Sequence, residues 1–331
     1  MRGPTGRSST SRRVHLVLLT GAVAVVAALS FWRRQSWDTR VVVILLSLLA
    51  ARGIASTRDA GHLERSRLED PLLGLVGAAL ALVLMRGWGL APIVAATLVG
   101  AAGGLAVRLT KGANDYHGAP VYVGAFVGIT SPLVLHQPWW VLIAGTLAGA
   151  AWSMSREAWI GVGGKMGTVA LLTTFATTEV ARALGERESG GPALDAHGFL
   201  LAAYLTGLAA APLTYFLAHR LRWGAVLASA VPTVAFAGIM AMVPAGSRAL
   251  PGVLASLWYG SSFVGMTTPS RVRGSMVAVA LGGVIFTWLA LHFGHYFSGL
   301  GGTAGLTALL AVFVVRGAQA IVSDRVALAR R

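Results

Sequence analysis

Two short motifs, far apart in the chain, hold most of the residues whose chemistry matters here. Residues 126–132 read Phe-Val-Gly-Ile-Thr-Ser-Pro, and residues 263–269 read Phe-Val-Gly-Met-Thr-Thr-Pro. Proline removes a backbone donor and clashes with the preceding turn, and glycine weakens a helix further. A helix entering Gly128 and Pro132, or Gly265 and Pro269, is therefore expected to kink or break. The freed carbonyls would lie beside the hydroxyls of Thr130, Ser131, Thr267 and Thr268. Such an oxygen-rich surface suits a dehydrated cation or a polar solute. The plainer outcome is a helix that simply ends, with proline opening the loop and hydroxyls bonded back to their own backbone. For Pro269, followed by Arg271 and Arg273, the two outcomes are balanced.

A second pair of motifs is glycine-rich. One contains Gly163, Gly164, Lys165, Gly167 and Thr168; the other contains Gly301, Gly302, Thr303 and Gly305. Glycines this dense let the backbone unwind or approach a ligand, and they leave a helix N-terminus whose N–H groups favour an anion. Close helix packing through small residues accounts for the glycines equally well. It does not account for Lys165, expected about eight residues into its span, roughly 10 Å along the helix. An intramembrane ammonium is costly and marks a functional candidate. It could hold an anionic group or stand in for a coupling cation; snorkelling to the interface is the alternative. Thr303 occupies the matching place, so the charge lies on one half only.

The elements that must position these motifs are hydrophobic. Of 331 residues 55% are apolar and only 12% charged, with mean hydropathy +0.70. Soluble domains carry about 25% charged residues, which argues against a soluble enzyme. The net charge of +15 sits in short gaps between apolar runs, the pattern of cytoplasmic loops rather than of a nucleic-acid surface. There is no cysteine, so disulfides, thiolate metal sites and cysteine nucleophiles are excluded. Twelve candidate spans are expected, at 14–32, 41–55, 70–85, 90–107, 119–135, 138–154, 158–182, 198–219, 224–243, 250–269, 274–292 and 298–316. The second is short enough to lie along the interface instead. Residues 11–16 resemble a twin-arginine export signal, but no cleavage site follows, so an uncleaved first helix is expected. With the N-terminus inside, 19 of the 27 Lys and Arg residues fall on the cytoplasmic side, seven fall outside, and Lys165 lies within a span. Both termini are thereby expected in the cytoplasm, in a multi-pass protein of the cytoplasmic (cell inner) membrane.

The motif pairs also imply a duplication. Residues 122–132 and 259–269 share six of eleven positions at an offset of 137, and 163–175 and 301–313 share seven of thirteen at 138. Arg86-Gly87-Trp88-Gly89 is set against Arg222-Trp223-Gly224. Each copy, 70–182 and 198–316, holds five spans, and an odd number makes the second copy enter from the opposite side. The expected organisation is a basic cytoplasmic tail (1–13), an N-terminal helical pair with its loop (14–69), the first five-span repeat (70–182), an external loop (183–197), the inverted second repeat (198–316) and a cytoplasmic tail (317–331). Inverted repeats with broken helices near the midplane are a usual build of secondary transporters.

The paired glycine motifs resemble the broken helices of the glutamate:sodium symporter and 2-hydroxycarboxylate transporter classes, through Gly163, Gly164, Gly167, Gly301, Gly302 and Gly305. That resemblance implies ion-coupled transport of a small organic anion; Lys165 departs from it, since a sodium-coupled family is not expected to place a lysine there. The expectation is an all-α secondary transporter or facilitator for a small polar, anionic solute. No enzymatic activity, metal or cofactor is expected, and the coupling ion, Na+ or H+, is left open. Its partners would be the solute and the lipid bilayer, with homo-oligomers possible and nucleic acid not. Rival readings are a non-catalytic scaffold or assembly factor, a channel, or an intramembrane serine hydrolase pairing Ser261 or Ser262 with His292 or His295. No Walker A sequence is present, which excludes ATP-driven transport within this chain.

Overall fold

The computed structural model describes residues 37–55, 68–111, 118–156, 158–186, 198–243 and 249–329. The expected first span (14–32), the basic tail, most of the external loop and the loop before residue 68 lie outside them. Among the described residues there are twelve α-helices and no strand. They are α1 (Trp37–Ala55), α2 (Asp70–Leu82), α3 (Pro92–Lys111), α4 (Gly118–Gly128), α5 (Pro138–Met154), α6 (Lys165–Ala183), α7 (Leu200–Tyr215), α8 (Ala225–Ala241), α9 (Ala249–Gly265), α10 (Pro269–Val272), α11 (Met276–Phe293) and α12 (Thr303–Ala329).

Local chemistry places many of these boundaries. Proline opens α3, α5 and α10, where its missing N–H has no intrahelical partner to lose. At the start of α11 the Ser275 hydroxyl accepts from the Ala278 N–H at 3.1 Å, an N-cap. Both α2 and α7 finish in a π-helical turn, at Val83–Gly87 and Phe216–Arg220. There the Trp88 N–H reaches the Val83 carbonyl at 3.1 Å, and the Leu221 N–H reaches that of Phe216 at 3.2 Å.

Five helical stretches are long and apolar enough to cross a membrane: Asp70–Gly87, Pro92–Thr110, Leu200–Arg220, Met276–Phe297 and Thr303–Val326. The remaining expected spans are shorter than anticipated. The 119–135 span is helical only over the 11 residues of α4, roughly 16 Å against a hydrocarbon core of about 30 Å. The 158–182 span starts late, at Lys165, and the 298–316 span runs from Thr303 on to Ala329.

The helices fall into two units. In the larger, within Arg67–Ser153 and Gly161–Val312, glycine and alanine bring backbones close. A Cβ added to Gly124 of α4 would lie 1.9 Å from the Gly74 carbonyl of α2, and one on Gly149 of α5 would lie 2.2 Å from that of Asp70. Helices α7, α9 and α11 meet in a comparable way, with a Cβ on Gly283 falling 2.2 Å from the Gly207 carbonyl. Here, however, α9 supplies Ser261, whose hydroxyl donates to that same carbonyl at 2.8 Å.

The smaller unit includes α1 and α12 from Phe313 onward. A Cβ on Gly53 would sit 2.0 Å from the Phe313 carbonyl, and one on Gly317 would sit 1.9 Å from that of Leu49. Arg52 pairs with Asp324. The buried ring of Trp159 packs edge-on to Phe313, with centroids 5.4 Å apart.

Candidate functional site

Helices α4 and α9 each stop four residues before their proline. The Thr130 N–H donates to the Val127 carbonyl at 3.0 Å and the Thr267 N–H to that of Val264 at 3.1 Å, tightening the last turns. Neither proline kinks a continuous helix. Pro132 lies in the turn that follows α4, and Pro269 is the first residue of α10. The helices end because glycine destabilises them and the threonines then bond elsewhere.

Each broken end is bound by the glycine motif of the opposite half. The Gly301 N–H donates to Thr130 Oγ1 at 3.2 Å, and the Gly163 N–H donates to Thr267 Oγ1 at 3.0 Å. One residue on, the Ser131 N–H reaches the Gly299 carbonyl at 2.8 Å, and the Thr268 N–H reaches that of Gly161 at 2.9 Å. Thr268 Oγ1 also donates to Gly161, at 3.2 Å. Only glycine fits this seam. A Cβ on Gly163 would stand 2.1 Å from the Phe263 carbonyl oxygen, and one on Gly301 2.0 Å from that of Phe126. Gly161, Gly164, Gly299 and Gly302 adopt positive φ, from 72° to 92°.

Beyond the seam, α6 and α12 cross at their first turns. A Cβ on Gly164 would meet the Gly305 carbonyl at 2.3 Å, one on Gly302 would meet that of Gly167 at 2.3 Å, and Gly167 faces Gly305 directly. Lys165 corrects the earlier expectation: it is the first residue of α6, not one eight positions inside a helix. It is buried, and its Nζ lies 4.7 Å from the centre of the Trp152 ring, a cation–π contact. Thr303 at the start of α12 donates instead to the Phe297 and Leu300 carbonyls, at 3.0 and 2.9 Å. Thr168 donates to the Gly164 carbonyl at 3.0 Å, and Ser131 accepts from the Leu133 N–H at 3.2 Å.

All the residues singled out in the sequence therefore belong to one region of the larger unit, but their groups are not bare. The hydroxyls of Thr130 and Thr267 accept glycine N–H groups. Their carbonyls are taken by two side chains that sequence reasoning missed. Arg86 donates to the carbonyls of Leu135, His136 and Thr130 at 2.6, 2.8 and 3.4 Å, and His219 Nε2 lies 3.0 Å from the Thr267 carbonyl. Arg86 and His219 occupy the fourth place of the two π-helical turns, 133 residues apart. The like-for-like partner of Arg86 is thus His219 rather than Arg222; conspicuous Arg, Trp and Gly letters had suggested the wrong register.

Also missed was the aromatic centre. Tyr122 and Phe126 of α4 pack against Tyr259 and Phe263 of α9, with centroid separations of 5.2 Å for Phe126–Phe263 and 5.9 Å for Phe126–Tyr259. The signal was present as the Tyr-x-x-x-Phe spacing inside both matched segments, which places the two rings one turn apart on a helix face. Among the described residues no group of three or more His, Asp or Glu is placed to hold a metal ion. The Ser262 hydroxyl bonds to Ser229 at 2.7 Å and to the Tyr259 carbonyl at 2.6 Å, not to a histidine. Comparison with known proteins finds no family model, curated protein or solved structure that matches this chain.

Proposed function

We propose that the chain is a secondary transporter or facilitator that moves a small polar solute, anions preferred, across the cytoplasmic membrane. Its frame is read as two five-helix copies of inverted topology. The observation that carries this reading is the crossed bracing of the broken helix ends. Thr130 takes Gly301 while Thr267 takes Gly163, and Ser131 takes Gly299 while Thr268 takes Gly161. Two copies facing each other upside down would exchange such contacts in pairs, and a switch between two equivalent packings is what alternating access requires. Short helices buried at their ends, beside five stretches long enough to span, fit the broken-helix design. The preference for anions rests on Lys165 at the start of α6, where an ammonium and helix N–H groups have the same sign.

The test is flux in proteoliposomes, with acetate as the first probe of a panel of small carboxylates. Lys165→Ala is expected to abolish protein-dependent acetate uptake while the purified protein keeps its melting temperature. Uptake at the wild-type rate would refute the assigned role. The chain lacks cysteine, so Thr130→Cys and Thr267→Cys can report water access without background. Labelling of the two from opposite faces supports alternating access. A static scaffold would need the same bracing, and the absence of any flux would favour it. Cytoplasmic placement of both termini is the orientation proposed, to be checked with protease-sensitive tags at each end.

A further inference from the structure

We propose that Tyr122, Ser229 and Ser262 form the contact for an uncharged, amide-like group on a transported solute. This rests on the reading of the chain as a conduit for small polar solutes, but not on the charge preference assigned to Lys165. Tyr122 is fully buried, and no hydrogen bond reaches its hydroxyl although Ser229 lies beside it. A buried hydroxyl left unpaired is unfavourable and needs an explanation, of which a ligand is one. The neighbouring protons are already assigned by geometry. Ser262 donates its single proton to the Tyr259 carbonyl at 2.6 Å, so Ser229, 2.7 Å from Ser262 Oγ, must be the donor in that pair. The lone pairs of Ser229 are thereby left to accept. Side by side, the cluster offers one donor, the Tyr122 O–H, and one acceptor, Ser229 Oγ.

The surroundings select against charge. Helices α4, α8 and α9, which supply the three residues, contain no charged residue. Phe126, Tyr259 and Phe263 wall the cluster with aromatic faces, their rings between 4.2 and 6.4 Å from a neighbour. A carboxamide matches this arrangement, presenting a carbonyl to Tyr122 and an N–H to Ser229. Nor is the cluster a packing requirement of such a helix crossing. At the positions 133 and 137 residues earlier stand Ala96 and Ala125, both fully buried.

Acetamide and acetate, alike in shape and different in charge, are the probes. The full-length protein in proteoliposomes is expected to speed acetamide entry, followed by light scattering after an osmotic step. Tyr122→Phe and Ser229→Ala should each lower the protein-dependent rate about tenfold, as the loss of one hydrogen bond predicts. In detergent without solute, Tyr122→Phe should not lower the melting temperature, because it removes an unpaired group. A clear fall in melting temperature would make the hydroxyl structural and overturn the proposal. Acetamide flux unchanged by both substitutions would overturn it too. Acetate flux without acetamide flux would overturn it while leaving the transport reading in place, and flux of neither probe would count against both.

Discussion

At the glycine seam, the absence of a side chain at single positions matters more than any side chain present. Gly163 and Gly301 each leave about 2 Å between an imagined Cβ and a carbonyl oxygen on the facing helix end. Neither oxygen can retreat without undoing the last turn of α4 or α9. Gly163→Ala and Gly301→Ala are therefore expected to destabilise the protein by about 3 kcal/mol or more, read as a loss of melting temperature in detergent. Gly238, in the interior of α8, has open space where its Cβ would go. Gly238→Ala should instead raise stability by about 0.5–1 kcal/mol, since alanine suits a helix better. Arg222 gives the converse case. It holds φ at 55° just beyond its π-helical turn, where Gly89, 133 residues earlier, holds φ at 70°. Arg222→Gly should relieve about 1 kcal/mol of backbone strain, measurable in the same assay.

For the helices, the consequence lies in how α4 and α9 finish. Their terminal threonines are acceptors for N–H groups that have no other partner close by, so removal of the hydroxyl oxygen strands a buried donor. Thr130→Val and Thr267→Val keep the shape and should each cost about 1–3 kcal/mol, whereas Thr→Ser at either site should retain most of the stability. This level also shows what was legible beforehand. The all-helical class, the glycine and proline break points, and the grouping of both motif pairs could be read because each depends on local backbone chemistry. Helix ends were misjudged, by seven residues at Lys165, because hydropathy continues across irregular backbone that is buried in protein and bonded to a distant segment. Arg86 and His219 escaped notice for a related reason. Each caps carbonyls on a helix it reaches only in three dimensions, and isolated polar letters near an apolar run look like loop residues.

Taken as a whole, the chain uses similar crossings with different chemistry in its two halves. Where the first half has Ala96, Gly124, Ala125 and Gly149, the second has Ser229, Ser261, Ser262 and Thr287, all buried. The halves are therefore not interchangeable. Gly124→Ser should be strongly destabilising, by about 3 kcal/mol, because the Gly74 carbonyl occupies the space. Ser261→Gly should lose only about 1 kcal/mol, the worth of its hydrogen bond to Gly207. Thermal unfolding of the two variants side by side checks the asymmetry. The bracing of Thr130 has one more implication, for biogenesis. Its partner Gly301 is 171 residues away, so the ribosome has made nearly the whole polypeptide before that contact can close. Until then the end of α4 must wait, sheltered by insertion machinery or by lipid, and a chain truncated before the second glycine motif would leave it exposed to quality control.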